Sequence, residues 1–136
     1  DNNMFDFDYN KKPTEYSPLV LAYIGDAVYE LYVRSRVIAL NPDMPAYKLH
    51  KETIKYVKAH AQCMSIHNML DILTEKEMSV FKRGRNAKSP TTPKNADLTE
   101  YRHATGFECL MGYLYLNKEI ERMEYLMGVA FEHALD

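Results

Sequence analysis

No apolar run in this sequence approaches the roughly 18 residues of a membrane-spanning helix, so no membrane partner is expected. Cysteine is scarce. Cys63 and Cys109 stand singly on separate predicted helices, without the CxxC spacing of zinc or redox sites. Both are expected to be reduced core thiols in a cytoplasmic protein. The first residues carry no basic-then-apolar leader, so nothing marks the chain for export. A strong excess of either charge is missing too: the formal net charge is −2, and only the distribution of charge can point to a nucleic-acid partner. At 136 residues there is no room for a second domain, and one domain of this size buries roughly two-thirds of its unfolded surface.

What is present is an almost wholly helical pattern, and an all-α fold is predicted. Residues 1–16 are polar and broken by Pro13, which reads as a flexible N-terminal arm without chemistry. Ser17-Pro18 then pairs an N-cap with a proline at the first helical position, and the helix so opened should run to about Leu40, where Asn41-Pro42 stops it. Leu21, Ile24, Val28, Leu31 and Ile38 recur at helical spacing and are the expected core stripe. Asp26 sits on the adjoining face. A half-buried carboxylate loses several kcal/mol to desolvation unless a cation, a donor or a metal stands beside it. Gly25 costs about 1 kcal/mol against alanine in mid-helix, which points to a close approach of another backbone or a ligand. A core helix with one satisfied aspartate is the alternative.

A second helical stretch starts at Ala46 and should break near residues 56–58. His50, His60 and His67 lie ten and seven residues apart, not at the three- or four-residue step that puts two ligands on one helical face, so they read as surface or hydrogen-bonded histidines. Thr74 to Glu77 is a capping box that opens another helix. That helix leads into Lys82 to Asn95, which holds five basic residues and no acidic one. Gly84, Pro90 and Pro93 argue for a loop here, and a basic loop at a helix end is a natural place to meet phosphates. Its candidate RNA contacts are Lys82, Arg83, Arg85, Asn86, Lys88, Thr91, Thr92 and Lys94.

Asp97 to Glu100 reads as another capping box, opening a helix from Leu98 to about Leu116 with Phe107, Leu110, Met111 and Leu114 as its core stripe. Tyr101, Thr105, Glu108 and Gly112 align on another face. Glu108 is thus a second carboxylate in an apolar helix near a glycine, parallel to Asp26 and Gly25. Two such carboxylates facing each other across small residues would hold a divalent cation through oxygen, with waters completing the shell, as magnesium prefers. A last helix, about residues 118–134, reads as packing alone.

Ala22-Tyr23-Ile24-Gly25-Asp26-Ala27 resembles the hydrophobic-Gly-Asp-Ala core of the ribonuclease III signature helix. Phe107 to Leu116 is similar to that family's second catalytic helix, in which Phe-Glu-Ala is followed by glycine and an aromatic. With the basic segment between them and no double-stranded-RNA-binding domain in these residues, the match is to the Mini-III branch, over about residues 17–134. The resemblance implies a homodimeric, helical endonuclease domain over residues 17–136. It implies magnesium held by Asp26 and Glu108 as metal ligands and catalytic residues, with Gly25, Thr105 and Gly112 supporting. It further implies cytoplasmic cleavage of double-stranded RNA, the precursor of large-subunit (23S) ribosomal RNA, to 5′-phosphate and 3′-hydroxyl ends. Two further carboxylates of the full-length pattern are replaced here by Ala22 and Thr105, so the number of ions is left open. The alternative is a non-catalytic, dimeric RNA-binding or ribosome-associated protein of the same fold.

Overall fold

The computed structural model describes residues 5, 7–89 and 97–136, and Thr91, Thr92 and Lys94 lie outside them. Among the described residues six α-helices follow one another: α1 (Pro18–Leu40), α2 (Ala46–Val57), α3 (Ala59–His67), α4 (Glu75–Asn86), α5 (Leu98–Leu116) and α6 (Ile120–His133). The helix starts follow from local chemistry. Ser17 accepts a hydrogen bond from the Val20 amide, and Thr74 and Glu77 close a full capping box. Asp97 forms only half of one, accepting from the Glu100 amide at 3.0 Å, because the Glu100 carboxylate is turned to His60. The break between α2 and α3 falls at Lys58, whose backbone is extended.

α5 is the centre of the molecule. Phe107, Leu110, Met111 and Leu114 are wholly buried, and α1, α4, α3 and α6 pack around them. Glycines set how closely two of these neighbours approach. A Cβ at Gly25 of α1 would stand 1.8 Å from the Glu108 carbonyl oxygen, and one at Gly112 of α5 would stand 1.8 Å from that of Leu21. The α4–α5 crossing uses the same device, since a Cβ at Gly84 would lie 2.9 Å from the Gly106 Cα and one at Gly106 2.8 Å from the Phe81 carbonyl oxygen. Gly84 therefore does not break the helix. α4 continues to Asn86, and Lys82, Arg83, Arg85 and Asn86 are helical rather than in a loop.

The core face of α1 also differs from its apolar spacing. Leu21, Ala22, Gly25, Tyr29, Val33 and Val37 are buried, whereas Leu31 and Ile38 are each 56% exposed. The helix is apolar on nearly every side, so hydropathy alone does not choose a face. The choice goes to the side carrying Gly25, where the backbone of α5 can come closest and Tyr29 meets Phe107 edge-on at 4.8 Å.

One buried ion pair ties α4 to α6. Glu77 accepts from Arg122 Nε at 2.9 Å and Nη2 at 2.8 Å, and Nη2 also donates to the Ile72 carbonyl. Burial works against the Glu77 charge, but the Arg122 hydrogen bonds outweigh it and hold the carboxyl below its ordinary value. Arg122→Leu leaves that carboxylate buried without its cation. The expected loss is about 3 kcal/mol, read as a lower urea midpoint at neutral pH. At pH 3, where the carboxyl of the variant is protonated, most of this difference should vanish.

Candidate active site

Asp26 follows Gly25 directly, so the glycine crossing that brings α1 onto α5 also carries the Asp26 carboxylate to Glu108. Asp26 is exposed and Glu108 half-buried, so the pair sits at the edge of the core with one side open to solvent. Burial pushes the Glu108 carboxyl up to about 8, helped by the Asp26 charge and by a hydrogen bond between the two side chains. Without a cation Glu108 therefore holds its proton at neutral pH.

Around this pair the neighbours are neutral or already engaged. Ala22 is buried in the core. The Thr105 hydroxyl donates to the Tyr101 carbonyl at 3.0 Å, one turn before Glu108 on the same face of α5. Glu30, one turn beyond Asp26, is taken up by Arg34. Among the described residues no three His, Cys, Asp or Glu side chains are grouped closely enough to hold a metal. His60 is bound to Glu100, and His67 stacks on His103 with ring centroids 4.7 Å apart. Cys63 and Cys109 are free and buried, as expected.

One residue of the site was missed by the sequence reading. Gln62 on α3 is 1% exposed, and its amide is directed at the Glu108 carboxylate. Neither Nε2 nor Oε1 closes a hydrogen bond. The signal was available: an amide set between Ala61 and Cys63 in an apolar helix is the same anomaly as Asp26 in α1.

The donor set suits magnesium. Two carboxylates supply hard oxygen ligands and the open side leaves room for waters, while the orphaned Gln62 amide marks a polar site left incomplete by protein groups alone. Asp26 and Glu108 are the residues that would hold the ion.

Family comparison matches this helical frame. The ribonuclease III domain model covers residues 19–119, a span that includes both carboxylates. The chain belongs to the ribonuclease III family. As a ribonuclease III-type endoribonuclease it is similar to the Mini-ribonuclease 3 of Thermoanaerobacter sp. (strain X514), with 52% identity over 85% of this chain and 81% of the relative. The Mini-ribonuclease 3 of Clostridium tetani is 56% identical over 82% of this chain and 74% of its own length. A crystal structure of a Fusobacterium nucleatum protein superposes with a TM-score of 0.79 at 29% identity, covering 90% of this chain and 98% of that one.

The basic residues fall into two groups around this ribonuclease site. Lys82 is exposed, and Arg85 lies over the Phe81 ring with its Nε on Asn86. Arg83 instead donates to the backbone carbonyls of Thr14 at 3.4 Å and Tyr16 at 3.2 Å, fastening the end of the N-terminal arm to α4. Lys88 borders a cleft of about 280 Å³ between the end of α4 and the start of α5, together with Ser89, Tyr101, Arg102 and Thr105. Arg102 was not picked out from the sequence because it lies outside the basic segment; the cleft brings it beside Lys88.

Proposed function

We propose that this ribonuclease hydrolyses phosphodiester bonds of double-stranded RNA with magnesium at Asp26 and Glu108. The pairing of two carboxylates from different helices at an open edge of the core carries this reading, since a module that only bound a polyanion would be better without them. Asp26 and Glu108 would hold the ion, which when bound would lower the pKa of a water and steady charge on the phosphate oxygens. Glu108 would give up its proton to act as a ligand beside Asp26, and the close Gly25 and Gly112 crossing of α1 on α5 holds the two carboxylates side by side. The water oxygen joins phosphorus and gives up one proton to solvent, the bond from phosphorus to O3′ breaks, and O3′ takes up a proton from solvent, giving 5′-phosphate and 3′-hydroxyl ends. The catalytic domain in this reading spans residues 17–136, and its substrate is the 23S ribosomal RNA precursor in the cytoplasm.

Lys88 and Arg102 at the cleft, with Lys82 and Arg85 on α4, would meet the phosphates. A compact enzyme can recognise A-form RNA by phosphates and 2′-hydroxyls without reading its deep groove. Replacing Lys88 and Arg102 by alanine should lower the slope of log affinity against log salt by about 0.9 per lost phosphate contact, the duplex-DNA value, with similar losses for duplexes of different sequence. Arg83→Ala should leave that slope unchanged and loosen the N-terminal segment instead. Filter binding over a salt series checks both.

Two chains related by a two-fold axis would place one centre on each strand. The free face of α1 supports that arrangement. Tyr23 is 81% exposed beside Ala27 and Leu31, and a largely apolar groove of about 530 Å³ runs from Ile24 and Val28 to Tyr115 and Met127. A long RNA duplex incubated with magnesium or with EDTA tests the activity, and sedimentation tests the assembly. Metal-dependent shortening is expected from a dimer. Duplex that is retarded but intact in magnesium would select the non-catalytic RNA binder.

A further inference from the structure

Gln62 is a polar side chain of the core that packing does not explain. α3 lies directly on α5, Gln62 is sealed from solvent at 1% exposure, and its amide approaches the Glu108 carboxyl without closing a hydrogen bond of ordinary geometry from either Nε2 or Oε1. A leucine or methionine of similar volume would fill the same space without leaving two polar atoms unsatisfied. A buried amide without partners calls for a ligand or a second state that completes it.

We propose that Gln62 is a positioning residue of the metal site, its Nε2 donating a hydrogen bond to the ionised Glu108 carboxylate and fixing the oxygen that Glu108 presents to the cation. This rests on the metal site proposed above. Glu108 can reach Gln62 on one side and Asp26 on the other. A carboxylate that ligates a cation with one oxygen needs a donor on its other side, and Gln62 is the buried amide directed at it. Outer hydrogen bonds of this kind set the orientation and basicity of a ligand, and their loss weakens metal binding ten- to a hundredfold.

The test uses Gln62→Leu and Gln62→Met in the full chain. The expected result is a dissociation constant for Mn²⁺, titrated calorimetrically without RNA, that rises about ten- to a hundredfold in both variants. The unfolding midpoint in EDTA should be unchanged or higher, because the orphaned amide is gone. Turnover should fall with KM for duplex RNA unchanged. Metal affinity and kcat like those of the parent in both variants would overturn the role. So would a lowered midpoint in EDTA in both variants, which would make Gln62 a packing residue. If Glu108→Gln leaves the Mn²⁺ titration of the parent unaltered, the metal site itself is misassigned, and this role falls with it.

Discussion

Asp26→Asn lowers kcat by about a thousandfold or more while the folded protein becomes no less stable. The turnover loss follows from removing one of two charged ligands, since the charge stabilisation a cation supplies is worth several kcal/mol and each 1.4 kcal/mol is about tenfold in rate. The stability outcome follows from the same carboxylates in the absence of metal. Glu108 carries a proton up to about pH 8 in the folded chain, against an ordinary value of 4.5. An acid whose folded value is raised binds more protons folded than unfolded. Its contribution is therefore fully present below about pH 4.5 and is lost as pH rises through about 8. In EDTA the unfolding free energy should fall over that window, by on the order of 4 kcal/mol from this group. Glu108→Gln should flatten the fall, and added magnesium should offset it in the parent alone. Denaturant titrations at pH 5, 7 and 8.5, with and without metal, read all three. A parent whose stability in EDTA does not change between pH 5 and 8 would show that the pair is not coupled in this way.

Gly25→Ala is the second large effect. In an exposed helix the change would gain about 1 kcal/mol. Here the new Cβ would meet the Glu108 carbonyl oxygen at 1.8 Å and the Gly112 nitrogen at 2.7 Å, both backbone atoms of the central helix, so α1 and α5 must separate. The expected cost is about 3 kcal/mol, the upper end for overpacking. Activity should fall further than stability, because the helices that part are those that bring Asp26 to Glu108. Gly128→Ala is the control. A Cβ there would meet only the end of the Tyr32 side chain, at 3.3 Å, and the variant should fold with its activity intact. Thermal unfolding and duplex cleavage of the two variants side by side measure the contrast. A Gly25→Ala protein as stable and active as the parent would mean that the crossing is not tight.

The sequence by itself determined most of the elements and singled out the two carboxylates that the fold brings together. Ser17-Pro18, Thr74 and Asp97 marked helix starts because capping is a local hydrogen bond between near neighbours, and Asn41-Pro42 marked a stop for an equally local steric reason. Asp26 and Glu108 stood out because a carboxylate in an apolar helix is anomalous wherever that helix packs, and the neighbouring glycines pointed to a close approach. The tertiary structure alone decided which face of α1 is buried, since a helix apolar on nearly every side offers no pattern to choose by and the choice falls to the glycine that admits α5. It also decided that Gly84 continues α4, because a mid-helix glycine reads as a breaker until the helix it lies against is known. Gln62 and Arg102 joined the site through residues 46 and 14 positions away, at Glu108 and Lys88, and no local spacing encodes such a meeting. Arg83 and Lys88 look alike in the chain. They part in the fold because the carbonyls of Thr14 and Tyr16 come within reach of one guanidinium, while Lys88 lies at the rim of an open cleft.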